Sequence, residues 1–464
     1  MKWGIVLSIT ESFVDFVYEI KYENIPDTVI ERIKLFMADY FAACFAGYKI
    51  NTGFNNANLS IIRENGGTQQ ASILFEERKY PADSAAYMNA VYSHGADIDD
   101  GNRNSAGHIA THIISSVFAM SEKTGAQWKD VFTAITVGYE IFNRIAAAAQ
   151  PGLYEKGFHS TGIAGGLACA AACAKLMHLD REGIYNSISI AAVQSSGLII
   201  IDESGQECKP INPGNAAKTG IISAELAKHN ITAPRNPFES KKGWFNAFAD
   251  GIKEDFIYRG LGTEFTIMES YLKLYPTCRH THSCIEAGID IGNRLRELGK
   301  YTIDDILSID VFIYKSAIKS AGSIKKPKNA GEAKFSICYA LAVALSKKAF
   351  KISDLEINAE EEISIITDKI KITEDSCMED RACGIRGARI IVTMNDNNIF
   401  KSTVLIPKGE SSNPLTWDDI NAKMMDCSYG ILSADKAGNI IRKIRNINPD
   451  LVFKSINGFI NDEG

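Results

Sequence analysis

The chain has 464 residues, 45% of them hydrophobic and 23% charged, the balance of a globular protein long enough for more than one core. A net charge of −6, a pI near 5.9 and the lack of a basic block argue against nucleic acid or an anionic membrane as the main partner. No run approaches the ~18 continuous apolar residues of a membrane span. The apolar run at the start is very short and is soon followed by Glu11, so no secretory signal and a cytoplasmic location are expected.

Ser8-Ile-Thr-Glu11 has the capping-box pattern and opens a predicted helix over 13–20. Pro26-Asp27 starts another that runs to Gly47, with Pro in the first turn and Gly past the end. Residues 72–80 predict a short hairpin or strand, and helices follow over 83–94, 106–123, 128–149, 160–177, 181–196 and 213–228. Gly162, Gly165, Gly166, Ala168, Ala171 and Ala172 recur at helical spacing, which lets helices approach closely. Cys169 and Cys173, one turn apart among alanines, read as small packing residues.

From about Thr266 the texture changes. Residues 304–314 alternate like a strand, 333–348 predict a helix, and the β-rich runs 388–394 and 399–406 are joined by the hairpin signal Asn395-Asp-Asn-Asn398. Helices return over 416–425 and 433–444. The expected architecture is mainly α. A large all-helical domain is formed by both chain ends, 1–265 and 409–464, with a smaller α+β lid domain, 266–408, inserted between them.

The densest chemistry lies in His94-Gly-Ala-Asp97-Ile-Asp99-Asp100, followed at once by Gly-Asn-Arg-Asn-Ser-Ala-Gly-His108. Three carboxylates and two imidazoles between helices are a candidate acid/base site, because unpaired carboxylates are expensive to bury and loops on rigid helices carry function. Further motifs add to it. Gly157-Phe-His159 opens a glycine-rich helix, and Lys209-Pro precedes another; a helix start of this kind can receive a carboxylate. Tyr271-Leu-Lys273-Leu-Tyr275-Pro276 runs into Cys278, Arg279, His280, His282 and Cys284, and Glu332-Ala-Lys334-Phe-Ser336 leads a helix. On a strand, alternation would put Cys278, His280, His282 and Cys284 on one face, poorly placed to close a tetrahedron, so no metal is expected.

In order and wording these motifs resemble the MmgE/PrpD family, which includes 2-methylcitrate dehydratase, cis-aconitate decarboxylase and iminodisuccinate epimerase. The matching residues are His94-x-x-Asp97-Ile-Asp99-Asp100, Gly157-Phe-His159, Lys209-Pro with Gly214-Asn-Ala-Ala-Lys218-x-Gly220, Lys273-x-Tyr275-Pro276 with His282, and Glu332-Ala-x-Phe335-Ser336-x-x-Tyr339. The resemblance implies a helical domain plus a lid-like α+β domain, a homodimer, no cofactor, and an active site between the domains. Asp97, His108, His159, Lys209 and Lys273 match functional positions, His108 through a short insertion in its loop. The chain departs from the pattern at Gly101, where Thr is common, at His108-Ile-Ala-Thr111-His112, where His-Pro-Ser is expected, and at Cys278, where the decarboxylase has His.

The expected function is therefore a cofactor-independent lyase that dehydrates or decarboxylates a small di- or tricarboxylate. His159, then His108, would carry protons, and Asp97 would orient an imidazole or protonate a leaving group. Lys209, Lys273, Arg279, His282 and Asp100 would hold the substrate. An epimerase of a dicarboxylate and an inactive carboxylate-binding or scaffold protein are the alternatives.

Overall fold

The computed structural model describes residues 8–202, 207–357, 361–381 and 383–461. Residues 1–7, most of the opening run weighed against a secretory signal, lie outside them. The protein is mainly α. Its described residues fall into a helical unit built from both ends of the chain, 8–202, Glu207–Ser270 and 420–461, and an inserted α+β unit, Tyr271–Asp419.

The helical unit surrounds the helix Trp128–Ala148, in which every residue from Val131 to Ala148 is buried. A helix buried on all sides belongs in the middle of a bundle, and its two buried charges, Glu140 and Arg144, pair with each other at 2.9 Å. Asp27–Ile50, Ala110–Thr124 and Gly165–Leu176 pack against it, and Ala82–His94 and Ile211–Lys228 pack on those helices in turn. The small residues serve this packing: a Cβ on Gly220 would lie 2.1 Å from Cys169 Cβ, so Gly165–Leu176 and Ile211–Lys228 touch backbone to backbone. Ser8 caps Ile9–Glu19 by accepting the Glu11 N–H at 3.2 Å, and Ala71–Ser72 pairs with Lys79–Tyr80 as a two-residue hairpin. The returning segment closes the unit through Trp128 N–H to Leu451 carbonyl (2.9 Å) and Phe453 N–H to Ala126 carbonyl (2.9 Å). Among the described residues no helix is long and apolar enough to cross a membrane.

The inserted unit has a four-stranded sheet in the order Ile370–Glu374, Ile306–Ile313, Ala388–Met394, Ile399–Val404. Its first pair is parallel and the other two are antiparallel. Ala388, Ile390, Val392 and Met394 bury alternate positions against the helix His282–Leu298, which packs in turn on Ile337–Lys347. Three expectations are corrected here. The run 160–177 is broken at Ala164 into Ser160–Ile163 and Gly165–Leu176, so His159 precedes a single helical turn. The run 106–123 begins as helix only at Ala110. Cys278 to Cys284 is not a strand: it passes through the 3-10 turn Arg279–Thr281 into the helix beginning at His282.

Candidate active site

The acidic segment starts where Ala82–His94 ends, and that end is fixed by a helix crossing. A Cβ on Gly47 would sit 1.8 Å from the Tyr92 carbonyl oxygen, so only glycine lets Asp27–Ile50 lie against the carbonyl end of this helix. The chain then turns sharply at Asp97, whose φ of +56° is a left-handed conformation that non-glycine residues adopt only when held there. Lys209 supplies one hold, with its Nζ 3.1 Å from Asp97 Oδ1. Farther on, Asn102 Oδ1 accepts the N–H groups of Asn104 (2.9 Å) and Ser105 (3.1 Å), and the Asn102 N–H reaches the Gly107 carbonyl (3.0 Å). These turns bring His108 back beside His94.

Asp100 ends the loop. Its Oδ1 accepts the N–H groups of Ile109 (3.0 Å) and Ala110 (2.9 Å), which caps Ala110–Thr124, and its Oδ2 accepts the Tyr139 hydroxyl at 2.8 Å. Burial first, then the charge of Asp99, pushes its carboxyl up to about 7. Asp100 was expected to hold substrate. Both of its oxygens are engaged within the protein and it is fully buried, in the position of a helix cap.

Two imidazoles meet at Asp99 and a third, His159, lies beyond His94. His94 Nδ1 donates to Asp99 Oδ2 at 2.7 Å, and His108 Nδ1 lies 3.4 Å from the same oxygen. His108 Nδ1 is also 2.7 Å from the Asp100 carbonyl oxygen. A carbonyl only accepts, so His108 carries its proton on Nδ1, and in the neutral ring Nε2 is a base. The His94 ring centroid is 4.8 Å from that of His108 and 6.2 Å from that of His159.

His159 is held the opposite way round. Asn212 Nδ2 lies 3.0 Å from His159 Nδ1, and the same amide nitrogen faces the Leu198 carbonyl at 3.5 Å, which orients the amide. An amide N–H donates, so His159 Nδ1 accepts and the proton of the neutral ring is on Nε2. In the neutral forms of these two rings the tautomers are opposite, His108 with an accepting Nε2 and His159 with an Nε2–H, and both rings flank His94.

His94, Asp99 and His108 present ligand atoms within 4.8 Å of one another, compact enough for a divalent cation. Their present contact is a hydrogen-bonded carboxylate–imidazole pair of the kind that relays protons.

Two family models match the chain: the MmgE/PrpD N-terminal domain over residues 11–256 and the MmgE/PrpD C-terminal domain over 275–448. The chain belongs to the MmgE/PrpD family. It is 24% identical over 455 residues to a cis-aconitate decarboxylase-like protein of Aspergillus oryzae, with 93% of each chain covered. It is also 24% identical to a cis-aconitate decarboxylase of Aspergillus terreus, covering 86% of this chain and 85% of that one. An alkylcitrate dehydratase of Talaromyces stipitatus is 24% identical, with 44% of each chain covered.

In this MmgE/PrpD protein Asp97, His108, His159 and Lys209 all fall in the helical unit, around His94 and Asp99. Lys273, Arg279 and His282 fall in the inserted unit. Lys273 is buried on the stretch between Tyr271 and Tyr275. Arg279 was expected to grip a substrate carboxylate, and its donors are committed elsewhere. Nε reaches Glu410 Oε1 (3.1 Å), Nη1 the Lys408 carbonyl (3.0 Å) and Nη2 the Pro407 carbonyl (3.2 Å), so it ties down the segment 407–410. His282 is drawn into that network by Nδ1, 2.9 Å from Arg279 Nη1. Asn212 is the residue the sequence did not reveal. Its one signal is its place in the Lys209-Pro-Ile-Asn run.

Proposed function

We propose that this protein is a lyase acting on a small di- or tricarboxylate, with decarboxylation as its first reading. The observation that carries the proposal is the pair of opposed tautomers at His108 and His159. In a decarboxylation the bond from a carboxylate carbon to its neighbour breaks and CO2 departs. The electron pair stays on the neighbouring carbon, which takes the proton from His159 Nε2. Lys209 contributes positive charge where the carbanion develops, and Asp97 fixes that ammonium. The decarboxylase names of relatives matched across most of their length support this order of preference.

Dehydration is the second reading, favoured by the presence of a base as well as an acid. His108 Nε2 would take the C–H proton while His159 Nε2–H protonates the departing hydroxyl. Neither route calls on a cofactor, and the cytoplasm remains the proposed location.

The test is to incubate the protein with citrate, 2-methylcitrate, cis-aconitate and iminodisuccinate-like acids and follow each by NMR. Release of CO2 from an unsaturated tricarboxylate, abolished in His159→Ala, is expected. Loss of water without CO2 would select the second reading. Inversion of a stereocentre alone would make it an epimerase, and binding without any turnover would make it a carboxylate-binding protein.

A further inference from the structure

Lys423 is 3% exposed and lies on the helix Trp417–Ser428, in a stretch the functional motifs do not include. Its ammonium pairs with the carboxylate of Asp39, which is fully buried on Asp27–Ile50. It also donates to the carbonyl oxygen of Ile98 at 2.7 Å. Ile98 stands between Asp97, held by Lys209, and Asp99, held by His94. We propose that Lys423 is a positioning residue for the proton-carrying cluster, fixing the peptide between the two working carboxylates.

Three observations support this. A buried ion pair is a poor way to gain stability, because apolar residues of the same volume usually do as well, so its presence asks for another reason. The side-chain hydrogen bonding of Asp39 goes to that pair: its second oxygen has no hydrogen-bond partner among the described residues. The peptide that Lys423 grips follows directly on the left-handed Asp97, where the loop most needs an external hold. With the Ile98 carbonyl pinned, the carboxylates on either side have little freedom to turn. Loss of this contact would let Asp99 drift from the two imidazoles it joins.

The inference rests on the proposed acid/base role of the cluster, so the experiment reads geometry and turnover separately. The double variant Asp39→Leu, Lys423→Met removes both charges together, and histidine labelled with 13C at Cε1 reports on the imidazoles without substrate. The His94 and His108 resonances are expected to move while exposed His178 and His229 stay in place. On the turned-over acid, kcat should fall about 10²-fold at unchanged KM, the scale of a misplaced catalytic group. Asp39→Asn, which leaves Lys423 on the Ile98 carbonyl, should keep the wild-type resonances. Should the double variant fail to fold, Lys423→Gln carries the same readouts.

Unmoved His94 and His108 resonances overturn the assignment, as does wild-type kcat in the variant. Equal displacement in Asp39→Asn also overturns it, because the acid rather than the carbonyl contact would then set the geometry. Moved resonances in a protein that turns over none of the acids would sink the lyase reading and leave the role of Lys423 standing.

Discussion

Asn212 decides which nitrogen of His159 carries the proton, and two substitutions separate that from simple packing. Asn212→Leu leaves Nδ1 without a donor and frees the ring to take either tautomer. Asn212→Asp offers an acceptor and draws the proton onto Nδ1, away from the substrate side. Wrong-tautomer imidazoles cost orders of magnitude, so the aspartate variant should lose roughly 10²–10⁴-fold in kcat at unchanged KM, and the leucine variant less. Equal kcat in the two would show that the amide does not set the tautomer.

His112, read from the sequence only as a departure from a motif, lies with its Nε2 3.1 Å from where a Cβ on Gly165 would be and its ring centroid 5.1 Å from that of Phe142. Neither ring nitrogen has a hydrogen-bond partner among the described residues. Burial foremost, then the His94 charge, pushes its pKa down to about 3. The folded protein therefore binds fewer protons than the unfolded chain between about pH 3 and the ordinary histidine value near 6.5. Stability from this group is complete above that window and is lost as pH falls through it, by about 1.4 kcal/mol per pH unit. Asp39 and Asp100, with carboxyls raised to about 6 and about 7, act in the opposite sense: their share is present in acid and lost as pH rises through those values. The comparison must therefore be between variants. Denaturant titrations of His112→Phe should show a shallower acid loss than wild type, and parallel curves would refute this account.

At the scale of elements, the small residues of the first half act as contact points. Gly47→Ala places a Cβ in the Tyr92 carbonyl and must push the helix that ends at His94 away from its neighbour. A cost of about 3 kcal/mol, the upper end for overpacking, is expected in a chemical melt, with loss of activity even where the variant folds. A wild-type midpoint would mean that the crossing has slack.

Most helices of the helical unit were legible from helical spacing, with a capping residue to mark the start of a few, such as Ser8 before Ile9–Glu19. The helix His282–Leu298 was not, because the alternating Cys and His residues at its start imitate a strand. The parallel strand Ile370–Glu374 was missed as well: it is five residues long, and its partner Ile306–Ile313 is remote in sequence. The acidic loop could be read as a candidate site from composition alone. Which of its aspartates cap, orient or hold could not, because that depends on partners such as Tyr139, Lys209 and Lys423. Asp39, a lone acid within Phe36-Met-Ala-Asp39-Tyr-Phe41, was the one available sign of a buried ion pair.

For the whole molecule, the homodimer remains a proposal, and its basis has changed. The glycine- and alanine-rich faces that suggested it are spent inside the helical unit, at Gly220 against Cys169 and Gly165 against Ala216. What remains is family membership, with exposed apolar side chains such as Val193, Leu198 and Ile200 available for a partner copy. Light scattering at micromolar concentration should give twice the 50.8 kDa chain mass. A single-chain mass would count against it.

The Lys423–Asp39 pair joins residues 384 positions apart. On a ribosome adding ~5–20 residues per second, Asp39 waits roughly 20–80 s for its partner to be made. Throughout that interval the nascent bundle has a carboxylate facing its apolar interior and no ammonium to meet it. The helices synthesised first thus have their central ion pair completed only when the last part of the chain arrives.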